Sequence, residues 1–181
     1  MLGIDDGPHR RGQREAVRIV GAMLEAGDLL EAVAQAWFPV DGDGVTDFLV
    51  SWVWSLRLRR SLQAIALGGV TIAGLAVVDV EKLSDALHVP VLVTTRRDPS
   101  RNRVAEALIA ARLAERCAVL ERTPPAIHVE RGLWLAWAGS GRERALALLQ
   151  ATRRKSKLPE PLRVAHLIAR ALADGESRGR P

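Results

Sequence analysis

The chain predicts an α/β fold, built as an antiparallel three-strand meander followed by parallel β-α-β units. Three observations predict it. In the strand-like first third of the chain, residues 29–40 alternate with period two. The period then changes to that of a helix just after residue 46. From there, short buried runs alternate with helical ones, which implies parallel strands joined by right-handed crossovers. The 181 residues suit one domain. It is expected over 1–174, with 175–181 as a disordered tail.

The elements follow in order. Leu2–Asp5 is a short strand. Ala16–Leu24 is rich in β-branched residues and ends at the turn signal Glu25-Ala26-Gly27-Asp28. In Leu29–Val40, Leu30, Ala32, Ala34, Ala36, Phe38 and Val40 alternate with Glu31, Gln35 and Trp37, and Asp41-Gly42-Asp43-Gly44 stops the strand. Thr46 is an N-cap candidate for a helix carrying Phe48, Leu49, Trp52, Val53 and Leu56, closed by Arg57, Arg59 and Arg60. Ala64–Leu67 is a buried strand within the uncharged stretch Leu62–Val78. At 17 residues, with glycines at 68, 69 and 74, this stretch is a strand, a turn and a helix start rather than a membrane span, which needs about 20 apolar residues. Asp79–Leu87 reads as a helix, Val89–Thr95 as a buried strand and Val104–Leu120 as one long amphipathic helix holding a buried Cys117. Ile127–Val129 and Leu133–Trp137 form a strand pair, and Arg142–Thr152 and Pro161–Leu172 two helices. A meander followed by α, β, α, β is the connectivity of the ribonuclease H-like fold. A doubly wound sheet would open with a helix instead of a hairpin.

Composition excludes several classes. One cysteine rules out an internal disulfide framework and a cysteine-rich zinc site. No GxSxG, P-loop or GxGxxG motif is present. His9, His88, His128 and His166 show no metal-ligand spacing. The acidic start Met1–Asp6 does not read as a signal peptide, so a cytoplasmic protein with no membrane association is expected. The charge is divided along the chain. Residues 1–90 hold 12 acids and 8 bases, and residues 91–181 hold 9 acids and 18 bases. A GC-rich genome would explain why 23 of the 26 bases are arginine, but not this separation.

Strand direction suggests what the acids do. In a meander, strands 1 and 3 run the same way, so Asp5-Asp6 and Asp41-Gly42-Asp43 reach one edge. A fourth strand parallel to the first ends there at Gly68-Gly69, and Asp79 returns to a nearby helix start. Open sheets place ligand sites at that carboxyl edge. Clustered carboxylates suit Mg²⁺ or Mn²⁺, which can generate a nucleophile and stabilise the leaving oxygen of a phosphodiester. The competing reading is structural, because each Asp taken singly suits a turn or a helix cap.

The ordered blocks Gly3-Ile4-Asp5-Asp6-Gly7-Pro8, Val40-Asp41-Gly42 with Thr46, Gly69-Val70-Thr71-Ile72-Ala73-Gly74 leading to Val77-Val78-Asp79, and Val89–Val93 with Arg96, Arg97 and Pro99 resemble the mainly archaeal endonuclease dU family, which is related to endonuclease V. The resemblance covers about residues 2–115 well. It implies an endonuclease V-like domain, dependence on Mg²⁺ or Mn²⁺, and cleavage of DNA containing deoxyuridine. By position Asp5 matches the metal-binding aspartate of the first strand. Asp41 and Asp79 are the other candidate ligands and catalytic residues, with Asp6 as a further ligand. The chain departs from the family at Gly44 and Leu75-Ala76. It departs from endonuclease V at Leu67-Gly68-Gly69, where that enzyme carries an aspartate.

Arg96 and Arg97, just after the fifth strand, are the foremost candidates to hold phosphates, and His9, Arg10 and Arg11 after the acidic pair are further ones. The expectation is therefore a metal-dependent endonuclease acting on deaminated DNA in repair. The rivals are a non-catalytic nucleic-acid-binding protein of the same fold and a small-molecule phosphoesterase.

Overall fold

The computed structural model describes residues 1–8 and 15–177. Its frame is a seven-stranded mixed sheet in the order β3-β2-β1-β4-β7-β9-β8. The strands are β1 (Leu2–Asp6), β2 (Ala16–Glu25), β3 (Leu29–Pro39), β4 (Ile65–Leu67), β7 (Val91–Thr95), β8 (Ile127–Glu130) and β9 (Leu133–Ala138). The expected meander is present, with β1 antiparallel to β2 and β2 to β3. β4 is parallel to β1, and β7 to β4. β9 and β8 then close that side antiparallel. A separate hairpin, β5 (Thr71–Ile72) and β6 (Ala76–Val77), leaves the carboxyl end of β4.

Helices cover both faces. On one face lie α1 (Val45–Ser55) and α2 (Val80–Leu87). Their Leu49, Val53 and Leu83 pack with Leu2, Ile4 and Ile19 of the sheet. On the other face lie α5 (Arg142–Thr152) and α6 (Glu160–Asp174). Leu149 and Leu162 meet Leu92, Leu133 and Leu135 there, and Ala165 and Ala169 meet Val20 and Ala22. α3 (Arg101–Ala110) and α4 (Cys117–Arg122) close over the hairpin through Leu108, Leu120 and Val77. No helix among the described residues is long and apolar enough to cross a membrane.

Three local expectations need correction. The long helix over 104–120 is two helices. Leu113 N–H returns to Leu108 O and Arg112 N–H to Ile109 O, closing α3 through Arg112 in the left-handed region (φ 62°). Cys117 therefore starts a new helix and is half-buried. Thr46 does not cap α1. That helix starts after Gly44, and the Thr46 hydroxyl accepts the Asp79 N–H at 2.9 Å, tying α1 to the start of α2. Arg57, Arg59 and Arg60 lie beyond α1, which ends at Ser55, and Arg59 stacks over the Trp54 ring at 3.5 Å.

The alternation along β1 decides what the site can contain. Leu2 and Ile4 enter the α1–α2 core, so Gly3 and Asp5 face α6. α6 crosses directly over Gly3. A Cβ there would lie 2.2 Å from the backbone of Pro161 and Leu162. Only glycine admits this approach, and neither backbone can yield to a side chain. We expect Gly3→Ala to cost about 3 kcal/mol of unfolding free energy, read from urea denaturation.

Candidate functional site

Asp5 ends the α6-facing row of β1. On α6, His166 lies one turn after Leu162, so the residue that packs on the sheet and the residue that reaches its edge share a helix face. The Asp5 carboxylate and His166 imidazole meet, with Asp5 Oδ2 to His166 Nδ1 at 2.7 Å. Both side chains are about a quarter exposed, so they sit in a recess that water still reaches. Gly68, Thr94, Thr95, Leu158 and Leu162 line it with them, and the exposed Arg96 and Arg97 stand at the rim.

Gly68 leaves space beside the other carboxylate oxygen. A Cβ on Gly68 would lie 3.8 Å from Asp5 Oδ1, at ordinary contact distance. No hydrogen bond among the described residues engages that oxygen. A Schiff-type or thiolate chemistry is absent from the recess; what it offers is one carboxylate, one imidazole and two guanidinium groups. A carboxylate that accepts from Nδ1–H fixes the imidazole tautomer and leaves Nε2 as the acceptor.

The positive rim extends along the sheet edge. The β8–β9 turn at Arg131-Gly132 reaches the strand 7 loop, since a Cβ on Gly132 would be 3.9 Å from Arg96 O and 4.0 Å from Lys157 Nζ. Lys157 in turn donates to the Arg131 carbonyl. No ion pair of the described residues engages Arg96, Arg97 or Arg131. The acidic partners elsewhere are taken: Glu130 by Arg153, Asp28 by Arg154 and Glu160 by Arg163.

The other expected acids do not join Asp5. Asp6 follows Asp5, so its side chain leaves β1 on the opposite face, where Oδ2 accepts the Ala73 N–H at 2.9 Å. Asp41 Oδ1 accepts the Leu75 N–H at 2.7 Å, and its own N–H donates to Ala73 O at 2.8 Å. These two acids thus anchor the loop of the β5–β6 hairpin. Asp43 pairs with buried Arg116, which also donates to the carbonyls of Asp41 and Leu75. Asp79 caps α2 by accepting the Lys82 N–H at 3.0 Å, and it meets Arg122 Nη2 at 2.9 Å. The recess around Asp79 shares no lining residue with the one around Asp5. The expected convergence of Asp5, Asp41 and Asp79 is corrected accordingly. Strand direction brings their backbones to one edge, but side-chain alternation and the intervening hairpin separate their carboxylates. Among the described residues, no group of three His, Cys, Asp or Glu side chains is placed to hold a metal ion. His9, Arg10 and Arg11 lie outside the described residues.

One site residue escaped the sequence. His166 has no metal-type spacing to another ligand. Its only signal is its place four residues after Leu162 and three before Ala169 on the apolar face of the last helix.

Burial pushes the Asp79 carboxyl upward, but the Lys82 N–H, the Arg122 guanidinium and Lys82 outweigh it, so its pKa lies below the ordinary carboxylate value. A carboxyl depressed in the folded state stabilises above its unfolded pKa and loses that contribution as pH falls through the folded one. We expect Asp79→Ala to cost about 1 kcal/mol at neutral pH. Asp79→Asn, which still caps, should cost less. The deficit of both should shrink as pH falls below the usual carboxylate range, read from thermal melts at stepped pH.

The family model described as endonuclease dU matches residues 1–173. The UPF0215 protein of Methanothermobacter thermautotrophicus is 35% identical over 184 residues, spanning 99% of this chain and 90% of its own. That of Thermococcus kodakarensis is 34% identical, spanning 98% and 94%. A solved structure from Archaeoglobus fulgidus, described as a protein of unknown function, superposes with a TM-score of 0.87 at 28% identity over 95% of this chain and 96% of that one. Ciona intestinalis endonuclease V, solved with a 24mer DNA containing an inosine followed by a ribo-adenosine, superposes with a TM-score of 0.62 at 11% identity over 96% and 85%. The fold is thus similar to that of endonuclease V, and the chain belongs to the endonuclease dU family.

Proposed function

We propose that the chain is a nuclease that hydrolyses a phosphodiester of DNA in the Asp5–His166 recess, on strands containing deoxyuridine, as a step of DNA repair. The observation that carries this reading is the carboxylate–imidazole pair at 2.7 Å at the carboxyl edge of parallel strands, in a recess also lined by two arginines that have no acidic partner among the described residues. Family membership and the DNA-bound endonuclease V neighbour support it. The meander followed by parallel β4 and β7 supports the ribonuclease H-like class.

In this reading Arg96 and Arg97 hold the phosphate and neutralise charge that grows on its oxygens during attack. Asp5 Oδ2 keeps His166 oriented, and His166 Nε2 takes the proton of the attacking water. The water oxygen forms a bond to phosphorus, the ester P–O bond breaks, and the departing alkoxide is protonated from solvent.

The donor set bears on Mg²⁺ or Mn²⁺. One free carboxylate oxygen, Asp5 Oδ1, does not make an all-protein cage. It does fit a hard cation that keeps several waters and completes its shell with substrate phosphate. Asp5 would hold that ion, which when bound supplies charge neutralisation and a more acidic water. The same sparse donor set favours the rival reading, a DNA-binding protein without cleavage.

The deciding experiment is cleavage of oligonucleotides carrying deoxyuridine, deoxyinosine or no lesion, with Mg²⁺, Mn²⁺ or chelator. We expect metal-stimulated cleavage selective for deoxyuridine. Asp5→Asn and His166→Ala should each lower the rate by about 100-fold or more while DNA affinity persists. Binding without cleavage by the wild-type chain under any metal condition would establish the rival. Separately, Arg96→Ala should weaken binding to all sequences alike and reduce the slope of log affinity against log salt by about one, measured by titration from low to moderate salt.

A further inference from the structure

The outer edge of β3 lacks most of the devices that keep strand edges apart. β3 ends the sheet on its side, and among the described residues no strand pairs with its free edge. It is long, at 11 residues. Edge strands are commonly blunted by shortness, lysines, prolines or inward charges. β3 carries one charged residue, Glu31, no lysine, and a proline only at its last position. Four of the seven exposed large hydrophobic side chains among the described residues sit on this one strand: Leu29 (61% exposed), Leu30 (47%), Val33 (48%) and Trp37 (57%).

One protective device is present, and it marks where the regular edge begins. The β2–β3 register shifts between Met23 and Leu24, so Glu31 is an extra residue with no partner on β2. From Ala32 to Phe38 the ladder is regular. There Val33, Gln35 and Trp37 lie opposite Ala22, Val20 and Arg18, on the face that carries α6. α6 packs on β1 and β2, and this row beyond it is exposed. Trp37 is held in place by Arg18, whose guanidinium lies 4.3 Å from the ring centroid and donates to Gln35 Oε1 at 2.5 Å. The other face of the same stretch offers only the small side chains of Ala32, Ala34 and Ala36 before Phe38.

We propose that this edge pairs with the same edge of a second copy, antiparallel and centred on Gln35, joining two seven-stranded sheets into one. Two arguments select a second copy. The first is self-complementarity. A two-fold axis at Gln35 sets Val33 of each copy against Trp37 of the other, Ala34 against Ala36, and Gln35 against itself. Aromatic and β-branched residues are favourable cross-strand neighbours, and two facing amides can each donate and accept. No like charges meet. An isologous contact requires a patch that matches itself, a condition that a foreign partner does not impose. The second argument is extent. Residues 32–38 give roughly 24 Å of free strand at about 3.4 Å per residue. With the side chains of Val33 and Trp37, and Leu29 and Leu30 at its end, the strand presents an apolar patch of the ~300–600 Å² that is often functional on a monomer. Two such patches and their main-chain edges reach the ~1,200 Å² at which specific interfaces begin. The pairing leaves both Asp5 recesses clear, because β2 separates β1 from the joined edge. It therefore stands whether or not the nuclease reading does.

Sedimentation equilibrium of the full, reduced chain tests it. We expect a reversible monomer–dimer equilibrium between about 1 and 100 μM. Gln35→Lys sets two lysines face to face beside Arg18 and should weaken the dimer at least about tenfold. Gln35→Cys in a Cys117→Ser background should form a disulfide-linked dimer on oxidation, since directly opposed residues have Cα atoms about 4.5–5.5 Å apart. Leu29→Cys in the same background should not, because the two copies of residue 29 lie at opposite ends of the interface. A chain that stays monomeric over the whole range would overturn the proposal. A dimer of unchanged strength in Gln35→Lys would overturn its location, and cross-linking through Leu29→Cys but not Gln35→Cys would overturn its register. Should Gln35→Lys fail to fold, the cross-linking pair decides the location alone.

Discussion

Because Gly3 has no side chain, the first turn of α6 rests against the backbone of β1, and everything at the carboxyl edge follows from that approach. A helix held 2.2 Å from where a Cβ would stand cannot shift outward without opening the core around Leu162 and Ala165. Its register is set in the same place. Glu160 and Arg163 pair at its start, and the arginine beside Glu160 holds that carboxyl below its usual range despite its burial. With the first turn fixed, His166 has one position, and Asp5 is two residues along the strand from Gly3 on the same face. The pair at 2.7 Å is thus a consequence of helix-on-strand packing that begins 160 residues away in the sequence.

The period of a β-strand then sorts the acids by role. Asp5 and Asp6 are neighbours in sequence but point to opposite faces of the sheet. One lines an open recess, and the other accepts a backbone N–H from a hairpin loop. Asp41 does for Leu75 what Asp6 does for Ala73. The loop they hold contains Ala73 at φ 50° and Gly74 at φ 87°, and it is tied down by side chains from β1 and the turn after β3. Arg116 completes that scaffold from α4's entry, bonding two carbonyls and Asp43. Asp6, Asp41, Asp43 and Asp79 of the acidic first half are therefore spent on structure.

How much of this was legible follows from which forces leave a local trace. The meander was legible because the β-branched run of Ala16–Leu24, the period-two alternation of Leu29–Val40 and the Gly27 turn are local signals, and β4 and β7 were legible as buried runs. The break after α3 was not, because the left-handed position falls on Arg112, with neither Gly nor Pro to mark it. Thr46 has the composition of a cap, but its hydroxyl serves a helix 33 residues away. Asp79 was legible as a cap, and that structural role is the one its geometry shows. For the candidate site, Asp5, Arg96 and Arg97 were legible from strand ends at one edge. His166 was not, because its partner is 161 residues distant and no short spacing encodes a contact made only by tertiary packing.

The sheet edge itself explains why two chambers stand side by side. β4 has only three paired residues and ends in Gly68-Gly69, while its neighbour β7 continues two residues further to Thr95. The shorter strand leaves a notch, and the glycines keep it free of side chains. On the α6 face the notch opens beside Asp5, and on the α3–α4 face it opens into an apolar cavity between β7 and those two helices, with Thr95 as the partition. A longer β4, or a bulky residue at its end, would fill the notch and disconnect the faces. The glycine pair at the end of β4 is therefore the feature that both opens the recess beside Asp5 and gives it its apolar neighbour.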